Sequence, residues 1–261
     1  MCGRFGIGNP ERLDGFLFRR AFPGIGAMAP RFNITPSADI PIVLSVKGDI
    51  VTSAARWGLV PSWATDAGIG TKLVQARGET AHEKPAFRSA LKSRRALIPA
   101  DLFYEWQAIE GQKLQQPWCI RMKEEAPFAM AALWETWLSP DAINGEALVT
   151  CCVLTTSSNY ALKHIHHRMP VILHPDLFEQ WLDPKTKPEV VRDFIRPYPL
   201  DGLFGYQIST WVNSPAHNDV RCIEPIDGMS ADAIAQITED AKLQTGAKAK
   251  RVDNGQIDAF G

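Results

Sequence analysis

The chain predicts an α+β fold, a single domain built on mixed and antiparallel, barrel-like sheets with a few peripheral helices. Three observations carry that expectation. Nine short β-like runs recur, helix-like stretches are fewer, and the two do not alternate as a parallel βαβ sheet requires. The nineteen prolines fall mostly between these runs, which calls for long, ordered loops. With 261 residues and 45% apolar side chains, the chain can bury one large core.

The elements follow in order. Asn9–Phe18 opens on an Asn-Pro pair, a helix-start signal. Strands are expected at Ile40–Val46, Ile50–Trp57, Arg95–Pro99, Leu102–Gln107, Trp118–Met122, Pro127–Trp134, Ala147–Thr155, Pro170–Leu173 and Tyr206–Val212. In each, β-branched, aromatic or other apolar residues stand between turn formers. Lys84–Lys92, Pro175–Leu182 and Pro188–Ile195 read as helices with proline in the first turn, where its missing N–H leaves no hydrogen bond unmade. Beyond Asp227 the composition shifts to Ala, Lys, Asp, Gln and Gly. Residues 2–227 are therefore read as the domain and 228–261 as an extension, partly helical or disordered.

Composition narrows the function classes. A net charge of −1 excludes a bulk polycation, so nucleic-acid contact would need a local basic patch. Lys84, Arg88, Lys92, Arg94 and Arg95 form one candidate, although such a run is more often a solvated face. No apolar run reaches the roughly 20 residues that cross a bilayer. Arg4 and the Arg19-Arg20 pair interrupt any secretory leader, so no membrane role is expected. The five cysteines contain no CxxC pair and are odd in number, which reads as reduced thiols in a cytoplasmic protein. Cys151 and Cys152 sit in an apolar run and suit the core.

The chemistry begins at Met1-Cys2-Gly3-Arg4. An initiator methionine is removed efficiently ahead of a small residue, which would leave Cys2 with a free α-amine beside its thiol. The thiolate could attack a carbonyl with the amine as its base. Alternatively, the amine could condense with an aldehyde and the thiol close a thiazolidine. An α-amine with a pKa of about 8 is partly unprotonated at neutral pH, so neither route needs an extreme shift. The bland alternative is a cysteine that merely follows Met1.

Glu105 lies among Leu102-Phe103-Tyr104 and Trp106. On a central strand, burial would raise its pKa toward the range of a general acid; on an edge strand it would sit in water. His164, His166 and His167 crowd four positions, yet no HExxH or cysteine pair accompanies them. Proton transfer by one histidine beside Arg168 suits the run better than a metal. Arg4 and Arg77 could grip phosphate or carboxylate. Trp63 and Pro36 occupy turn-rich segments where they could meet a base, while Trp57 reads as core.

Six blocks in order resemble the SOS-response-associated peptidase (SRAP) family, whose members shield abasic sites in single-stranded DNA. They are Met1–Phe5, Phe32–Pro36, Trp57–Trp63, Ala76–Thr80, Ile98–Trp106 and Ile165–Pro170, and they cover the chain to about Asp227. The resemblance implies covalent capture of the ring-opened sugar by Cys2 after Met1 is lost, with Glu105, His166 and Gln75 at the reacting centre. It implies Arg4 and Arg77 on flanking phosphates, with Trp63, Pro36, Thr155 and Asn33 among the DNA-contacting positions. No cofactor or metal is implied; abasic single-stranded DNA is the partner. Three positions depart from the family pattern: Gln75 replaces asparagine, Ala64 replaces a second tryptophan, and His167 replaces an acid found in some members. Class II glutamine amidotransferases also begin Met-Cys-Gly, so an N-terminal-nucleophile amidohydrolase is the rival. A single-strand binding module with an incidental Cys2 is the third reading.

Overall fold

Thirteen strands form among the residues that the computed structural model describes, which are 3–16, 25–139, 147–199 and 202–226. The expectations for Cys2 and for the extension 228–261 fall outside them. Every expected strand run is at least partly strand. They are β3 (Asp39–Val46), β4 (Asp49–Trp57), β6 (Arg95–Ala100), β7 (Leu102–Gln107), β8 (Gln116–Met122), β9 (Phe128–Leu138), β10 (Ala147–Ser157), β11 (Arg168–Pro170) with β12 (Ile172–Leu173), and β13 (Leu203–Gln207). The additions are β1 (Phe5–Ile7), β2 (Arg31–Ile34) and β5 (Gln75–Arg77). Helices are short: α1 (Pro10–Phe16), α2 (Gly78–Ala81), α3 (Arg88–Ser93), α4 (Phe178–Leu182) and α5 (Pro188–Asp193).

Five strands close into a barrel. β4, β3, β6, β9 and β10 pair antiparallel in that order, and β10 then meets β4 in parallel at Thr150↔Arg56 and Cys151↔Trp57. Closure removes the exposed strand edges that an open sheet must protect. The wall is lined by small and branched side chains, with Ala129, Ala131, Ala132, Ile98 and Leu133 fully buried. Cys151 and Cys152 are core residues, as expected. The other sheet runs β13-β8-β7-β1-β2. Rings join the two layers: Phe5 meets buried Trp57 edge-on at 5.2 Å, and Phe103 meets Phe128 at 6.1 Å. Such pairs add about 1 kcal/mol each beyond their buried area.

Two expected strands change shape. The Pro170–Leu173 run breaks at Val171, whose N–H donates to Leu154 and whose carbonyl accepts from Ala131, so one residue bridges two barrel strands. The Tyr206–Val212 run ends early because Ser209 accepts the Trp211 N–H and starts a 3₁₀ turn at Thr210–Asn213. The basic run also divides. Arg94 pairs with Glu135, and Arg95 is buried, donating to the carbonyls of Leu91, Lys92, Trp181 and Asp183. That guanidinium fastens the ends of α3 and α4, whose last carbonyls have no partner within their own helices. No helix among the described residues is long and apolar enough to cross a membrane.

Candidate active site where the two sheets meet

β7 is a central strand, flanked by β1 (Phe5↔Phe103) and β8 (Glu105↔Trp118). Glu105 is accordingly buried at 3% exposure. Burial raises its carboxyl pKa from 4.5 to about 7. The Tyr104 N–H donates to the Arg4 carbonyl at 3.0 Å, so the antiparallel run of β1 leads the chain start toward the Glu105 end of β7. The residue ahead of Gly3 lies outside the described residues.

His166 approaches from the loop between β10 and β11. Asn159 shapes that loop, accepting from Leu162 N and donating to Tyr198 O, while buried Ile165 anchors it. The His166 Nδ1 accepts from the Arg168 N–H at 3.0 Å and lies 3.9 Å from Glu105 Oε2. The same Nδ1 lies 3.2 Å from the Arg168 carbonyl, so the Arg168 backbone holds the ring in place. Burial lowers the His166 pKa, so acid and imidazole are pushed in opposite directions toward their uncharged forms. A carboxyl with a pKa of about 7 can hold or release a proton near neutrality. The other histidines turn elsewhere: His167 stacks on His166 at 4.4 Å, and His164 meets Trp118 edge-on at 5.3 Å. Among the described residues no group of three His, Cys, Asp or Glu side chains could hold a metal.

β10 carries the far wall. Its parallel pairing with β5 sets Gln75 beside Val153 and Arg77 beside Thr155, and β11 lies on its other side, with Thr155↔Pro170. Gln75–Thr80 forms β5 and most of the single turn of α2. A side chain at Gly78 would come within 2.2 Å of Ile195 Cγ2, so only glycine lets α2 lie this close to the segment after α5. Arg77 caps α2 and is exposed. Thr155 is fully buried, contrary to a surface contact: its hydroxyl accepts from Arg168 at 3.1 Å and donates to Ala76 O. The Arg168 guanidinium also grips Glu79 through two bonds of 2.6 and 2.9 Å, which hold the Glu79 carboxyl below its usual range.

Arg4 is held as well as presented. Its guanidinium donates to Asn33 Oδ1 and Val212 O and lies 5.5 Å over the Trp106 ring; burial lowers its pKa. Asn33, expected to face DNA, is buried, and its amide nitrogen donates to the carbonyls of Val212, Ser214 and His217. Both ends of that amide hold Arg4 and its supporting loop. Asn218 completes the clamp by accepting from Phe32 N and Asn33 N.

Trp63 is 60% exposed and Pro36 is half-buried. The Trp63 loop leaves Gly58 at φ +139°, where a side chain would lie 2.7 Å from the Gly70 carbonyl. Ala64 is buried with Val60 and Trp137, and its carbonyl accepts from Trp137 Nε1, so this position packs inward. Sequence reasoning missed Glu79 and the 212–218 loop. Glu79 lay in the Ala76–Thr80 block and Arg168 in the histidine block, but pairing residues so distant in sequence needs the β5–β10–β11 register.

Comparison with known proteins follows the same lines. A family model described as SOS response associated peptidase (SRAP) matches residues 1–215. The Bacillus subtilis abasic site processing protein YoaM is 40% identical over 227 residues, spanning 86% of this chain and 98% of that one. The Xenopus tropicalis abasic site processing protein HMCES is 30% identical over 228 residues, spanning 76% of this chain and 66% of that one. A crystal structure of a Bacteroides thetaiotaomicron protein, 24% identical, superposes with a TM-score of 0.74 over 86% of this chain and 99% of that one, a shared fold.

Proposed function

From the premise that this chain belongs to the SRAP family, we propose that it processes abasic sites in single-stranded DNA, trapping them covalently on Cys2 once Met1 is gone. An abasic deoxyribose equilibrates with its ring-opened aldehyde. The Cys2 amine adds to that carbon, the hydroxyl leaves as water, and an imine forms. The thiol then adds across the imine, closing a thiazolidine with no net redox change. Each step moves a proton. Glu105, with a carboxyl pKa of about 7, can protonate the leaving hydroxyl and afterwards take the thiol proton. Neutral His166 relays protons beside it, and Gln75 lines the same wall. Exposed Arg77 and clamped Arg4 hold the flanking phosphates, while Trp63 offers its face to a base. The chemistry balances without a cofactor or metal. The buried thiols Cys119, Cys151, Cys152 and Cys222 suit a cytoplasmic site of action.

The observation that carries this reading is buried Glu105, with a carboxyl pKa of about 7, beside half-buried His166 at the end of β7 toward which the chain start runs. The test is incubation with single-stranded DNA containing an abasic site and, separately, with glutamine. The expected result is a DNA adduct that survives a denaturing gel, is lost in Cys2→Ala, and matches the Met1-free protein in mass. Ammonia release without an adduct would assign the site to amidohydrolysis instead.

A further inference from the structure

A second cationic feature lies one helical turn from Arg77. A hollow of about 240 Å³ opens between α3 and α5, lined by His82, Arg88, Lys92, Arg95 and Arg192, with Leu91 and Val191 among its apolar lining. No carboxylate lines it. Glu83 and Glu189 stand 3.4 Å from His82 and 3.9 Å from Arg192, but both acids are largely exposed. Among the described residues no ion pair involves Arg88 or Lys92, and both are exposed. Arg95 behind them is 2% exposed and donates to four main-chain carbonyls, with Asp183 the acid that attracts it. Carbonyl dipoles satisfy its donors without cancelling its charge, so the hollow keeps a positive field.

Its position ties it to the candidate site. α2 runs from Arg77 at one cap to His82 at the other. At 1.5 Å per residue that is roughly 7 Å, about two nucleotides of rise along a strand. The close contact of Gly78 with Ile195 holds α2 against the segment that ends α5, so Arg77 and the hollow lie at two ends of one short turn.

We infer that this hollow is a second subsite for the strand that carries the lesion, beyond Arg77. Arg88 and Lys92, both exposed, take two of its backbone phosphates. The inference rests on the proposed function, since it needs a strand already held at Arg77. A free nucleotide offers the same chemistry; continuity with Arg77 favours the strand.

The experiment measures equilibrium binding of lesion-free single-stranded DNA against salt, for the wild type and for Arg88→Glu/Lys92→Glu, with Arg88→Gln/Lys92→Gln as the milder pair. Circular dichroism checks that the variants fold. Loss of two phosphate contacts is expected to weaken binding about tenfold and to make the salt slope shallower by about 1.4. The deficit should grow with strand length, because a short oligonucleotide ends before the hollow. Unchanged affinity and slope in both variants would overturn the subsite, even where wild-type crosslinking to abasic DNA stands. Absence of crosslinking with a normal DNA-binding deficit would instead overturn the capture chemistry and leave the subsite. A loss confined to binding of free deoxyadenosine monophosphate would reassign the hollow to a mononucleotide and overturn the strand reading.

Discussion

Two buried glutamates, one in each sheet, show how the same side chain serves different ends. Glu135 on β9 is 7% exposed and has the Arg94 guanidinium at 2.7 Å and the Thr136 N–H at 3.1 Å, so its charge is compensated where it stands. Glu105 on β7 is 3% exposed and faces an imidazole at 3.9 Å, and its pKa rises to about 7. One acid is tied to a guanidinium as part of the fold, whereas burial leaves the other with a carboxyl that can exchange a proton near neutrality. A guanidinium cannot give up its proton, whereas an imidazole can.

The largest effect should come from breaking the structural pair. Arg94→Leu leaves Glu135 without its cation and is expected to lower stability by about 3 kcal/mol in chemical denaturation. Adding Glu135→Leu should recover much of that loss, and a double variant as unstable as the single one would dissolve the contrast. Glu105→Gln should do the opposite. The fold should survive while adduct formation or reversal slows about 100-fold, a typical worth of general acid–base catalysis; unchanged single-turnover rates would remove Glu105 from the reaction.

Stability against pH separates the two acids further. The folded-state pKa of Glu105 lies above its unfolded value, so the folded protein holds the extra proton and loses stability as pH rises from 4.5 toward 7. Wild type should lose about 2 kcal/mol between pH 5 and 7 on this account, and Glu105→Gln should lack that slope. Parallel curves would mean the carboxyl is not shifted. Smallest is Arg77→Ala, which should weaken DNA binding uniformly across sequences and reduce the salt slope by about 0.7. A change in sequence preference would contradict a phosphate role.

Much of this was readable before any coordinates. β-rich runs broken by prolines were enough for an α+β barrel, and the aromatic flanks of Glu105 already pointed to burial. The short strands β1, β2 and β5 were missed because three or four residues carry too little periodicity, and they form only against partners far along the chain. Thr155 and Asn33, which the resemblance implied as DNA contacts, are both buried, and each bonds an arginine. Within the basic run, Arg88 and Lys92 are exposed while Arg95 is buried, a division no local pattern announces.

By itself the sequence determined which residues could do chemistry: an aminothiol behind the initiator, an acid set in aromatic surroundings, a histidine cluster and paired arginines. Only the tertiary structure decided the burial and the neighbours of the acid, the histidines and Arg4. Burial and charge act through space: Phe5 pairs with Phe103 across 98 residues of chain, and His166 reaches Glu105 across 61. Local pattern records what a side chain is; the dielectric and the partners it acquires belong to the packed sheets.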